Sequence, residues 1–259
     1  MWTKKSWEVP EIQNKEYKPT VFDSDQAKEL EKKNLQYKGL TGDGGSGIMN
    51  LYRGKGIAVS MDSDIAPETI AIVENATKTV TKDFKVLEKY SEPITFGKVS
   101  DGLAQNVFTP STGLNQITLS KLDFMDVNSL LNKLKTDFSS GTSYDTDDIQ
   151  SLIAHELGHN AHVALALKRA GLKYGKPLST IETYIFEKEY NNIAQEVYLA
   201  AFTNENFDNI QKQCIQQLGN MVYKNPNELI AQSFGNDYFG KNKSNIAKNI
   251  VNYFKKELR

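Results

Sequence analysis

The long helix predicted for residues 145–171 restricts the fold of this chain more than any other segment, because it has polar residues on its apolar side. The segment reads DTDDIQSLIAHELGHNAHVALALKRAG. Asp145 or Thr146 can cap its start, and Gly171 can end it. Its apolar stripe consists of Ile149, Leu152, Ile153 and Val163. Polar groups interrupt this stripe, and polar groups that face a core are costly unless they have partners. The fold therefore has to bring partners to them.

The interrupting residues form an H-E-x-x-H pattern, His155-Glu156-Leu157-Gly158-His159. Two histidines four positions apart project from the same side of a helix, one turn apart. Both imidazoles can therefore reach a single metal ion at about 2.0–2.1 Å. Glu156 lies about 100° further round the helix, where a carboxylate can accept a proton from water that the ion activates. The pattern thus predicts two metal ligands, His155 and His159, and a general base, Glu156.

A third histidine, His162, follows on nearly the same face, but it is not expected to be a ligand. About 10 Å of helical rise separates it from His155, which is too far for one ion to span. We expect His162 either to contact the metal site from outside its ligands or to be exposed to solvent.

A catalytic zinc site needs a third protein ligand and one open position for water. No histidine follows, and a single cysteine excludes a cysteine-based zinc site, so the third ligand is expected to be a carboxylate. Glu196 in IAQEVYLAAF and Glu228 in NPNELIAQSF share an E-x-x-x-x-[AS]-F pattern, so periodicity does not separate them. We favour Glu228, because Asn225-Pro226-Asn227 is a helix-start signal that fixes it in the first turn. Glu196 remains the alternative.

The other patterns predict an α+β fold. Residues 64–68 open a helix that continues to about residue 90. Three strand-like runs follow at 94–99, 103–108 and 115–120, and the bend PSTG at 110–113 predicts that the last two form an antiparallel hairpin. Another helix is predicted over 126–138, and helical patterns then dominate, with breaks at 171–177 and 225–226. A helix, a small mixed or antiparallel sheet and a mostly helical second half are typical of α+β proteins.

The first 60 residues differ in composition from the rest of the chain. Residues 1–38 are polar and show no periodic pattern, and residues 39–56 contain 7 of the 17 glycines. This region predicts an extended arm followed by a Gly-rich connector. The main domain is therefore expected over residues 61–259.

Charge and hydropathy exclude several classes of function. The 31 Lys and Arg residues balance 32 Asp and Glu residues, so the chain lacks the basic surface that nucleic-acid binding requires. No apolar run approaches the ~18–20 residues needed to cross a bilayer. The start, MWTKKSWEVPEIQ, has no apolar run after its lysines, so we do not expect it to be a secretory signal. We therefore expect neither nucleic-acid nor membrane partners.

HELGHNAH, followed far downstream by NPNELIAQSF, resembles the gluzincin metallopeptidases of the anthrax lethal factor type. It resembles still more closely the zincin-like domains at the C-terminal ends of phage minor head proteins, over roughly residues 92–254. In those domains a strand hairpin precedes an HExGH helix, and an N-P-x-E-[LF]-x-A-E-x-F helix supplies a glutamate ligand. By position, the resemblance implies Zn²⁺ held by His155, His159 and Glu228, with Glu156 as the general base.

Two positions depart from the pattern of that family. Gln232 stands where the second glutamate of the ligand helix is usual. Met221 stands where a tyrosine usually precedes the ligand glutamate by seven residues, and Tyr223 follows two residues later. Tyr223 is therefore the candidate for stabilising the developing oxyanion.

The resemblance implies two functions. The first is a zinc endopeptidase, in which Glu156 passes its proton to the leaving amine and strand 115–120 holds a peptide or protein substrate along its edge. The second is a virion or other assembly protein whose zincin-like domain is inactive or structural. In that case residues 1–38 would bind a capsid, a portal or another assembly partner. The expected locations are the cytoplasm or the virus particle.

Overall fold

The computed structural model describes residues 51–52, 56–60, 62–100, 102–140, 148–201, 218, 222 and 225–259. The arm predicted over 1–38 and most of the connector lie outside these residues, as does Tyr223. The described part of the chain is an α+β fold with seven helices and five short strands. The predicted fold class is therefore confirmed at this level.

The helices and strands lie close to their predicted positions. In chain order they are β1 (Leu51–Tyr52), β2 (Val59–Ser60), α1 (Pro67–Asp83), β3 (Thr95–Gly97), β4 (Ala104–Thr109), β5 (Leu114–Ser120), α2 (Lys121–Phe124), α3 (Val127–Ser140), α4 (Ile149–Ala170), α5 (Thr180–Ala201), α6 (Pro226–Phe239) and α7 (Asn245–Glu257). A 3-10 helix, Lys85–Lys89, follows α1. No helix of the described residues combines the length and the apolar composition that a bilayer crossing requires.

The main sheet has three strands in the order β3-β5-β4. β4 and β5 pair antiparallel, with Ala104 opposite Leu119 and Thr109 opposite Leu114, so the predicted hairpin is confirmed. β3 pairs parallel with the other side of β5, from Thr95 opposite Thr118 onwards. The expectation that strand 115–120 offers a free edge to a substrate is wrong, because both of its sides are paired. Within the described sheet, β4 is the edge strand next to β5.

The long helix α4 lies at the centre of the core. Most of it is buried, from Ile149 to Leu167, because α1, α5, α6 and the sheet all pack against it. The predicted cap at Asp145 or Thr146 is wrong, since the N-cap is Asp148, whose side chain accepts a hydrogen bond from the Gln150 amide. Gly171 ends the helix with φ +68°, as predicted. Burial on all sides explains why the polar residues of α4 point into the protein.

Helices α4 and α6 form the closest pair in the core. A β-carbon on Gly158 would lie 2.7 Å from the Ala231 Cα, and one on Gly235 would lie 2.9 Å from the Ser151 carbonyl oxygen. Small residues on both helices therefore let the two backbones approach. The start of α6 is the predicted one: Pro226 is its first residue, and the Asn225 side chain accepts a hydrogen bond from the Asn227 amide.

Candidate metal centre

Three of the residues proposed as metal ligands lie together where α4 faces the first turn of α6. His155 Nε2 is 3.4 Å from Glu228 Oε2, and His159 Nε2 is 3.6 Å from Glu228 Oε1. All three side chains offer a ligand atom within 4.8 Å of the others. The two imidazole rings are 4.9 Å apart between centroids and nearly perpendicular. The spacing of the two histidines on α4 and the position of Glu228 in the first turn of α6 produce this cluster where the two helices cross.

These separations fit a tetrahedral ion. Ligand atoms about 2.0–2.1 Å from a tetrahedral zinc lie roughly 3.3 Å from one another, close to the 3.4 and 3.6 Å found here. Two imidazole nitrogens and one carboxylate are also a donor set that zinc accepts in catalytic sites. The residues present therefore fit a zinc ion with one position left for water.

Gln232, one turn after Glu228 on α6, orients the first histidine. Its Oε1 lies 3.1 Å from His155 Nδ1. An amide oxygen only accepts hydrogen bonds, so Nδ1 carries a hydrogen, and Nε2 is the nitrogen that faces Glu228 and is left for a metal. Gln232 thus supplies the oxygen that fixes the tautomer of His155.

The electrostatics of the three ligand residues favour a cation. Burial lowers the pKa of His159 to about 4, so this ring is neutral at pH 7. Burial alone would raise the pKa of Glu228, but the hydrogen bond and charge of the histidines lower it to about 2. For His155 burial opposes the charged form, yet the hydrogen bond with Glu228 raises its pKa. A cation at the centre would displace the proton of His155 that faces Glu228, since a metal ligand has to be deprotonated.

Glu156 lies beside the centre and is only 3% exposed. Its Oε2 atom has no hydrogen-bond partner among the described residues. Burial raises the pKa of Glu156 to about 7, while His155 lowers it and Glu228 raises it. A cation nearby would lower this pKa again. A buried carboxylate with an unused oxygen is suited to accept a proton from a water molecule in the site.

Glu196, the alternative third ligand, lies elsewhere. Its Oε2 accepts hydrogen bonds from Arg169 Nη1 and Tyr253 Oη, both at 2.8 Å. The side chain is about half exposed and ties α5 to α4 and α7. Glu196 is therefore part of an ion pair on the surface, and Glu228 is the glutamate that faces His155 and His159.

His162 is completely buried, so the expectation of solvent exposure is wrong. Its ring stacks on Tyr190 of α5, with 3.6 Å between centroids and 12° between planes. Its Nε2 donates a hydrogen bond to the Tyr190 carbonyl oxygen at 2.7 Å. Tyr190 could not be identified from the sequence, because nothing in its local pattern distinguishes it from other helical tyrosines.

The chain matches no protein-family model, no curated protein and no solved structure. The chemistry of the centre therefore has to be inferred from its own geometry.

Proposed function

We propose that the chain is a zinc-dependent endopeptidase of the zincin type. The observation that carries this proposal is the convergence of His155, His159 and Glu228 beside the buried carboxylate of Glu156. A structural zinc site is normally closed by four protein ligands and needs no base. Here the described residues supply three ligands and a carboxylate with an unused oxygen, which favours catalysis.

In this mechanism the two histidines and Glu228 hold the metal, and Glu156 moves the proton. Zinc would supply Lewis acidity, polarising the scissile carbonyl and lowering the pKa of water in the site toward about 7. Glu156 accepts a proton as the oxygen of that water attacks the carbonyl carbon. Glu156 then gives the proton to the nitrogen as the C–N bond breaks. The products are one new carboxyl group and one new amine.

The edge strand β4 is the proposed substrate platform. The Asn106 side-chain amide lies 3.4 Å from the carbonyl oxygen of Glu156, so β4 passes close to the base. An edge strand has main-chain groups that an extended peptide can pair with. We therefore expect the substrate to be an extended segment of a polypeptide, bound antiparallel or parallel to residues 104–109. This strand takes the role that the sequence assigned to 115–120.

The test combines metal analysis with digestion of a peptide library, with and without a chelator. We expect one zinc per chain and cleavage that stops when the metal is removed. Glu156→Gln keeps the zinc but lowers turnover by about 10³-fold or more, because the proton acceptor is lost. Glu187→Gln, an exposed glutamate on α5, is the matched control and leaves turnover unchanged.

Two results would contradict the proposal. Normal turnover in Glu156→Gln would remove the role of the base. Zinc at one per chain without any chelator-sensitive cleavage would instead favour the alternative, an assembly protein with a structural zincin-like domain.

A further inference from the structure

The hydroxyl group of Tyr190 has no hydrogen-bond partner among the described residues. In three other half-buried tyrosines the hydroxyl is satisfied. Tyr174 bonds Asn115 and Glu92, Tyr238 bonds Asp83, and Tyr253 bonds Glu196. Polar groups that are largely withdrawn from water normally have a partner. A half-buried hydroxyl without one is therefore available to a bound molecule.

The ring of Tyr190 is held from several sides. It stacks face to face on His162, and its own carbonyl oxygen accepts a hydrogen bond from that histidine. Phe186, one turn earlier on α5, lies 5.8 Å away between ring centroids. Stacking and the main-chain bond together fix the position of the phenol without using its oxygen. The hydroxyl is thus preorganised before any ligand arrives.

Tyr190 packs beside the part of α4 that carries the two histidines proposed as ligands. His162 follows His159 by one turn on the same face of α4, so a ring stacked on His162 lies next to the ligands. Burial, and to a smaller extent the negative charge of Glu228, raise the pKa of Tyr190 to about 12. Glu228 is the ligand on α6, which α5 also contacts. Tyr190 is consequently protonated at neutral pH and can donate a hydrogen bond beside the ion.

We propose that Tyr190 is a catalytic residue that donates a hydrogen bond to the carbonyl oxygen of the scissile bond as that oxygen becomes negatively charged. This inference rests on the proposed peptidase function. It assigns to Tyr190 of α5 the stabilisation of the developing oxyanion, for which Tyr223 was the candidate from the sequence. The phenol keeps its proton throughout, and only the strength of the hydrogen bond changes. A fixed donor aimed at developing charge lowers the barrier because it does not have to reorganise during the reaction.

His162 acts as a positioning residue in this arrangement. It does not touch the substrate, because it is fully buried behind Tyr190. Its flat contact with the phenol and its bond to the Tyr190 carbonyl hold the ring of Tyr190 in one position. This explains why a buried histidine follows the two ligand histidines without serving as a ligand itself.

The test compares Tyr190→Phe with Tyr184→Phe, an exposed tyrosine on the same helix. The substrate is a peptide that the wild-type chain cleaves in the library digest. We expect kcat to fall about 10²-fold in Tyr190→Phe, with KM changed less than about 3-fold and zinc content unchanged. Tyr184→Phe remains at wild-type kcat. The variant Tyr223→Phe is measured as well. A large loss of kcat in Tyr223→Phe, without such a loss in Tyr190→Phe, would overturn the inference.

A binding measurement separates catalysis from structure. A phosphinic analogue of the same peptide carries a tetrahedral anionic group in place of the scissile amide, and it should bind Tyr190→Phe at least 10-fold more weakly than wild type. The uncleaved peptide should bind Glu156→Gln and the Glu156→Gln, Tyr190→Phe double variant equally. Equal loss of both ligands would mean that Tyr190 only shapes the pocket, and would overturn the inference. A wild-type chain that cleaves nothing would overturn both the inference and the proposed function, whereas an active Tyr190→Phe would overturn the inference alone.

Discussion

Gly158 of α4 lies directly against Ala231 of α6. A β-carbon at Gly158 would be 2.7 Å from the Ala231 Cα, which is well inside van der Waals contact with the main chain of α6. His159 follows Gly158 immediately, and Glu228 precedes Ala231 by three residues. The crossing of the two helices therefore sets the distance between the two imidazoles and the carboxylate of Glu228.

Gly158→Ala should separate the two helices and damage the metal centre. The extra methyl group meets the main chain of α6, and overpacking of this kind costs about 1–3 kcal/mol. We expect a lower free energy of unfolding in urea and a zinc content well below one per chain.

A second glycine of the same helix serves as the control for Gly158→Ala. Gly171→Ala places a side chain at φ +68° with no atom within 4 Å of the new β-carbon, so it costs about 1–2 kcal/mol of strain. It should lower stability while zinc stays at one per chain. Full zinc loading in Gly158→Ala would show that the close crossing does not position the ligands.

The parts of the fold that follow from neighbouring residues could be predicted from the sequence. His155, Glu156 and His159 lie within five consecutive residues of one helix. The Asn225-Pro226 pair fixes where α6 starts, and hence where Glu228 lies. Gly171 ends α4 in the left-handed conformation, which glycine adopts readily. Each of these signals is complete within a few consecutive residues.

The parts that depend on distant residues could not be predicted. The parallel pairing of β3 with β5 joins segments 23 positions apart, as in Thr95 opposite Thr118, and decides which strand is the edge. The stacking of His162 on Tyr190 joins positions 28 apart and follows from how α5 crosses α4. Periodicity identifies the buried side of a helix, but it does not identify which side chain from another helix will lie against it.

Gln232→Leu should weaken zinc binding without removing a ligand. The apolar side chain cannot accept the hydrogen bond from His155 Nδ1, so the tautomer and the ring orientation are no longer fixed. Losing a partner of this kind typically costs 10–100-fold in metal affinity. Competition with a chromophoric chelator measures the change.

Gln232→Glu is the informative companion to Gln232→Leu. Its carboxylate accepts the same hydrogen bond from His155 Nδ1 more strongly. Zinc affinity should be at least that of wild type. Equal affinity in Gln232→Leu and wild type would show that this hydrogen bond does not support the centre.

The two candidate glutamates can be distinguished with matched substitutions to glutamine. Glu228→Gln removes the anionic ligand, and it should reduce zinc to substoichiometric levels while the shape of the side chain is kept. Glu196→Gln should retain one zinc per chain, since Glu196 bonds Arg169 and Tyr253 instead. Its cost in stability should be at most about 1 kcal/mol, because the ion pair is half exposed. Loss of zinc in Glu196→Gln with retention in Glu228→Gln would reverse the assignment.

The buried His162 should make the stability of the fold depend on pH. Burial lowers the pKa of His162 from 6.5 to about 3, so between these values the unfolded chain binds a proton that the folded chain does not. The contribution of His162 to the free energy of unfolding is complete above about pH 6.5. It falls as the pH decreases, by up to about 1.4 kcal/mol per pH unit.

The variant His162→Gln keeps a donor for the Tyr190 carbonyl but cannot titrate. The free energy of unfolding of zinc-free protein, measured in urea from pH 4 to 7.5, should therefore decline less steeply with decreasing pH in His162→Gln. The difference in slope from wild type should correspond to about one proton taken up on unfolding. His155, His159 and Glu228 are present in both proteins, so their titration cancels in the difference. Parallel curves would show that the folded chain accepts a proton at His162, which is incompatible with its neutral, buried stack on Tyr190.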